Sequence, residues 1–204
     1  VDGDLIPLER PRAERADAAR NRRLLLETAR RMIDEAGAEN VTMDGLAEQA
    51  GVGKGTVYRR FRTRAGIFVA LLDAEERGFQ QRVLSGPPPL GPGGEPVDRL
   101  IAYGQGRITF LLDNHAVARA AMGQNRPVPV AVPGLTRLHI RVLLEQAGVG
   151  ADHLDALTLQ LAAALEGPVL LYLTVPDPGE AEGERSLRAL AEGWKVLVTR
   201  VCRT

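Results

Sequence analysis

The chain has 204 residues, 45% hydrophobic and 25% charged, with 26 basic against 26 acidic side chains and a net charge of zero. That length can bury a real core in one or two domains, and the composition excludes disordered and collagen-like chains. No run approaches the roughly 20 apolar residues of a membrane span. Residues 1–23 lack an apolar signal core, and the single cysteine, Cys202, has no internal partner, so a cytoplasmic protein without membrane contact is expected.

Residues 1–19 show little apolar periodicity and are expected to form a flexible arm. From about Arg20 to Ala36, Leu25, Ala29, Met32, Ile33 and Ala36 recur at helical spacing, and Gly37 ends that helix. Thr42 caps a second, short helix with Asp44 in its first turn, and Gly51 closes it. A third helix begins near Gly53 or Lys54 and carries Val57, Tyr58 and Phe61. A fourth runs from near Arg64 through Ile67, Phe68, Leu71, Leu72, Phe79 and Val83. Residues 85–97 hold five prolines and four glycines and cannot continue a helix.

Helix resumes near Val97 with Leu100, Ile101, Gly104, Ile108, Leu111 and Leu112, and a shorter one follows over His115–Gln124. After a loop at 126–134 come helices over about Leu135–Ala147 and Asp152–Leu173; Gly167-Pro168 is expected to kink the latter. A loop at about 174–183 precedes a last helix with the stripe Leu187, Leu190, Ala191, Trp194, Leu197, Val198 and Val201. Only 128–132 has a strand-like composition, so the expected fold class is all-α with about nine helices.

Charge is unevenly placed despite its zero sum. Eight arginines face three acids between Arg10 and Arg31, and five cations face no acid between Gly53 and Arg64. A phosphate-binding surface and a pair of solvated helix faces explain these patches equally well. Residues 41–64 separate the two: two short helices joined by a tight turn at Gly51 have the helix-turn-helix layout, whose second helix enters the DNA major groove. Leu46, Ala47, Ala50, Val52, Val57 and Phe61 are spaced to pack inward, leaving Lys54, Thr56, Tyr58, Arg59 and Arg60 outside. Gly55, with no side chain, lets backbone approach DNA closely.

The run LAEQAGVGKGTVYRRFRTRAGIF, residues 46–68, resembles the signature of TetR-family regulators, and the likeness extends over about residues 20–72. It implies a DNA-binding domain over 20–66 and a ligand-binding and dimerisation domain over 67–204. The implied function is a repressor that binds a palindromic operator in double-stranded DNA as a homodimer and is released by a small-molecule effector. Alternatives are a DNA-binding regulator without such a ligand, and an activator. No cofactor and no metal are implied.

By the same resemblance, Thr42 caps the second helix and touches phosphate, and Lys54, Gly55 and Thr56 open the recognition helix on the DNA. Tyr58, Arg60 and Arg64 are backbone contacts, and Arg59 is the expected base reader, with Lys54 and Thr56 beside it. Gly53 stands where serine is common, Arg60 where histidine is frequent, and Ala65-Gly66 replaces a more helix-favouring pair, which is expected to loosen the fourth helix at its start.

The ligand-pocket candidates implied are Tyr103, Arg107, Phe110, Leu111, Asn114, His115, Met122, Asn125, Leu138, His139 and Glu166. With aromatic residues only 4% of the chain, a stacking cage is not expected. The last two helices are expected to dimerise through Leu157, Leu161, Leu165, Leu187, Leu190, Trp194, Leu197 and Val198. No phosphate loop, nucleophile elbow, HExxH or CxxC occurs, and histidines 115, 139 and 153 are not spaced as one metal site, so an enzyme is not expected.

Overall fold

The computed structural model of the protein describes residues 10–122, 134–174 and 180–203. Among them it is all helical: α1 (Arg10–Ala36), α2 (Met43–Gln49), α3 (Lys54–Phe61), α4 (Arg64–Ser85), α5 (Pro96–Asp113), α6 (His115–Met122), α7 (Gly134–Gln146), α8 (Ala151–Thr174) and α9 (Glu180–Val201), with a 3-10 turn over Ala38–Asn40. The chain divides into two compact units, Val1–Leu71 and Leu72–Thr204.

Two boundaries differ from expectation. Helix α1 starts at Arg10, ten residues before the expected start at about Arg20. The alanines at 13, 16, 18 and 19 are strong helix formers that need no buried face, and Pro11 is tolerated in a first turn. The domain boundary also moves from 66 to 71, because Ile67, Phe68 and Leu71 at the start of α4 are buried and belong to the first unit. The stretch 128–132 lies outside the described residues.

The first unit is a small apolar core under a polar coat. Leu25, Ala29 and Met32 of α1, Leu46 and Ala47 of α2, and Val57 and Phe61 of α3 are buried, each large side chain contributing about 1.5–3 kcal/mol. Gly37 (φ +85°) and Gly51 (φ +65°) take the left-handed turns that end α1 and α2, where a side chain would be strained.

The second unit is built around α5, which packs on α7, α8 and α9. Pro96 opens α5 at its first turn, just after the proline-glycine loop. Trp194 of α9 lies directly over Gly104: a Cβ there would sit 2.0 Å from the indole ring. The indole Nε1 donates to the Leu100 carbonyl at 3.0 Å, so the ring is seated both by shape and by a hydrogen bond. Phe79, Leu100, Ile140, Leu143, Leu161, Leu165 and Val198 complete the interior. Helix α8 runs on through Pro168.

Candidate nucleic-acid interface

Local chemistry sets the first helix of the helix-turn-helix. Thr42 caps α2, its hydroxyl accepting from the Gly45 amide at 3.0 Å. Gly45 is needed there, since a Cβ would come within 2.9 Å of that hydroxyl oxygen. Helix α3 has no side-chain cap at Gly53, and the Thr56 amide donates to the Gly53 carbonyl instead. Buried Val57 and Phe61 fix the roll of α3, which leaves Lys54, Gly55, Tyr58, Arg59 and Arg60 exposed and Thr56 half-buried.

These outward groups are not equivalent. Lys54 donates to Asp44 at 2.7 Å, and that hydrogen bond, then the carboxylate's charge, raises its pKa. Arg59 and Arg60 line an open cleft between α3 and the N-terminal half of α1, with Asp17, Asn21, Arg22 and Thr56 on its walls. Of the residues expected as an arm, 10–19 are therefore helical, with Asp17 and Ala18 beside α3. Gly55 has open space around it.

Arg64 is occupied differently from expectation. Its Nε and Nη2 donate to the carbonyls of Val41 and Ala38 at 2.6 and 2.5 Å, and its guanidinium lies 5.0 Å from the Phe68 ring centre. It ties the start of α4 to the segment before α2. The start of α4 is also tightly built: Thr63 accepts from the Gly66 amide at 3.1 Å, and a Cβ on Gly66 would meet the Phe61 carbonyl at 2.0 Å. Where a loosened helix was expected, glycine permits the close approach of α3 and α4. Arg62 between them has φ +64°, with Thr63 N donating to Phe61 O at 2.7 Å, a tight three-residue turn.

In the second unit the expected pocket residues separate. Tyr103, Arg107, Phe110, His139 and Glu166 are brought together. Arg107, 4% exposed, donates to Glu166 from Nε and Nη2 at 3.3 and 3.2 Å and pairs with Glu76 through Nη1. Burial pulls the guanidinium pKa down, but the charges of Glu166 and Glu76 outweigh it, so the net shift is upward. Tyr103 donates to Thr136 Oγ1 at 2.8 Å, and its ring lies 4.7 Å from that of His139. Burial raises the phenol pKa. The His139 pKa falls to about 4 through burial and the charge of Arg99.

Three rings, Phe79, Tyr103 and Phe110, gather beside Arg107 at 5.7 and 5.8 Å spacings, although aromatic residues are scarce overall. Leu111 and His115 instead border a separate apolar recess with Ile108, Leu112, Leu165, Pro168 and Leu190. Asn114 donates to the Phe110 carbonyl and finishes α5. Leu138 is 57% exposed. Asn125 and the Met122 side chain lie outside the described residues.

Glu76, Thr136 and Arg99 were missed by sequence reasoning. Glu76 was legible in principle: it lies on the α4 stripe Leu72–Glu76–Phe79–Val83, where a lone acid needs a partner. Of the residues expected to dimerise, Leu161, Leu165, Trp194 and Val198 fill the unit's own core, Leu157, Leu187 and Leu190 are half-buried, and Leu197 is exposed. Among the described residues, the large apolar groups these helices leave outside are Leu159, Val196 and Leu197.

This geometry defines an all-helical protein with a helix-turn-helix whose second helix shows a basic face. Residues 25–71 match the family model for bacterial regulatory proteins of the tetR family. The chain is 40% identical over 65 residues to an HTH-type transcriptional regulator of Staphylococcus aureus, a stretch that is 32% of this chain and 35% of that protein. The chain thus spans about a third of the length of the curated relatives it matches.

Two solved structures share the fold. A TetR/AcrR-family regulator from Thermobifida fusca has a TM-score of 0.57 and 16% identity over 86% of this chain and 97% of its own. A TetR variant from Acinetobacter baumannii in complex with minocycline has a TM-score of 0.56 and 20% identity over 86% and 92%. Residues 25–71 are thus a tetR-family DNA-binding helix-turn-helix domain, and the described residues share a TetR-like all-helical fold. Among the described residues, no helix is long and apolar enough to cross a membrane.

Proposed function

We propose that this protein is a TetR-family transcriptional repressor that binds a palindromic operator as a homodimer and is released by a small-molecule effector held in its second unit. The observation that carries the reading is the exposed cationic face of α3, with Tyr58, Arg59 and Arg60 outward from a buried Val57–Phe61 underside. A short recognition helix reads few base pairs, so two copies about one DNA turn apart are needed for specificity.

Arg59 is the base reader, while Tyr58 and Arg60 bind phosphate. Lys54 exchanges Asp44 for a DNA group. Thr42 stays a cap that offers its region to phosphate, and Arg22 of α1, which borders the same cleft, adds a backbone contact. Arg64 acts indirectly, by holding α4 against the helix-turn-helix. The second copy associates through α8 and α9, where Leu159, Val196 and Leu197 supply apolar area beside the small Ala163 and Gly193.

The test is a fluorescence-anisotropy titration over a range of salt, with DNA from upstream of the chain's own gene beside random DNA. Tight binding at two chains per palindrome, steeply weakened by salt, is expected. Arg59→Ala should relax sequence preference, and Arg60→Ala should weaken all sequences alike and flatten the salt slope. Equal losses on operator and random DNA in Arg59→Ala would remove its reading role.

A further inference from the structure

Along α5, Arg99, Tyr103 and Arg107 follow at four-residue steps on one face. The two ends of this stripe are in opposite conditions. Arg107 has both its carboxylates. At the other end, where α5 packs on α7, the buried Nε of Arg99 and Nε2 of His139 meet no hydrogen-bond partner. A buried polar atom left unpaired costs about 1–3 kcal/mol, and native proteins keep few of them.

Both residues are half-buried, so this seam reaches solvent at its edge. Both donor atoms are covered, so a ligand reaches them only where the seam opens at that edge. Tyr103, whose hydroxyl is committed to Thr136, lies tilted against His139, and the Arg99 stem lies against Gly94, where a Cβ would meet its Cγ at 3.3 Å. Arg99 is the charged group acting on His139.

We propose that Arg99 and His139 are the anchor for a small organic carboxylate bound in the seam between α5 and α7. One carboxylate oxygen accepts from Arg99 Nε–H and the other from His139 Nε2–H, which completes both groups. A single negative charge balances the single guanidinium. The Tyr103 ring favours an organic body behind the charge, whereas a phosphate dianion would leave surplus charge beside a buried phenol. The site names the chemical class of the effector, so its consequence for DNA rests on the repressor reading; the binding itself does not.

The full chain is titrated with benzoate and octanoate, beside inorganic phosphate and methyl benzoate, and the three histidine rings are followed by NMR across pH. His139→Asn assigns the signal. Free His139 titrates near pH 4. Burial, the larger cause of that value, persists in the complex, but a bound carboxylate offsets the Arg99 charge and accepts from the ring, so the His139 titration should move upward while those of His115 and His153 do not respond. Arg99→Gln should weaken carboxylate binding roughly tenfold or more and Arg99→Lys less, since the planar donor fork is lost but the charge kept.

The proposal fails if neither carboxylate moves His139, if the ester binds as well as benzoate, if phosphate alone binds, or if Arg99→Gln binds like the native chain. The native-chain titration stands even if a variant misfolds. Carboxylate binding that leaves an operator complex intact upholds the anchor and overturns release by ligand. Absence of any operator binding overturns the DNA reading, while the His139 titration still decides the anchor.

Discussion

The two units solve opposite problems with the same kind of helix. In the first, the described polar side chains are turned outward, and Thr28 is the one polar residue buried. Its cations are a surface. In the second, Arg107, Asn114, Thr136 and Thr158 are buried, and an arginine with two glutamates crosses the interior. A basic surface waits for a macromolecule; a buried, partly unsatisfied polar stripe is a place where a small molecule can change what pairs with what. The contrast sets a basic surface in one unit against a charged interior in the other.

The largest effect should come from removing the buried cation. Arg107→Met leaves Glu76 and Glu166 without their partner and should cost about 3–5 kcal/mol, measured by denaturant unfolding. Arg59→Ala, the same loss of charge on the surface of the other unit, should stay within about 0.5 kcal/mol in that assay. If both variants unfold alike, the inside–outside distinction fails.

Glycines sharpen the comparison next. Gly104→Ala drives a methyl into the Trp194 ring and should cost about 3 kcal/mol, with the indole fluorescence altered. Gly55→Ala meets nothing and should gain up to about 1 kcal/mol in helix propensity. Its cost, if α3 lies close on DNA, should show only in operator affinity.

The pH dependence should locate in the second unit. With a folded pKa near 4 against about 6.5 unfolded, His139 binds its proton more readily when the chain unfolds. Its contribution is therefore present above pH 6.5 and is lost as pH falls toward 4. Allowing for a half-exposed ring, the loss should be about 1–2 kcal/mol, and His139→Asn should flatten it. A native-like acid slope in that variant would show that another group carries the dependence.

The smallest expected effect is at the cap. Thr42→Ala removes the acceptor for the Gly45 amide and should cost about 1 kcal/mol. A matching drop in operator affinity with the fold intact would add a phosphate contact to its role.

The first unit was largely legible because its signals are local. The Thr42 cap, the Gly51 turn and the inward spacing of Leu46, Val57 and Phe61 each act within one or two helical turns. The exceptions there are contacts over distance: Arg64 reads as one more cation in RTR, yet it spans 23 and 26 residues to two backbone carbonyls. In the second unit the helices were legible and their partners were not. Arg107 meets carboxylates 31 and 59 residues away, and nothing in its own turn of helix points to either.

The sequence by itself determined the helical class, the order of the elements, the break at 85–97 and the basic face of α3, because periodicity, caps and breakers depend on neighbours along the chain. Tertiary structure alone decided what covers each face. It turned Trp194 and Val198 inward and left Val196 and Leu197 outside, since an apolar stripe says which residues seek cover and not which helix supplies it. It gave Arg107 two acids and Arg99 none, because charges on separate helices are paired only when packing brings those helices side by side.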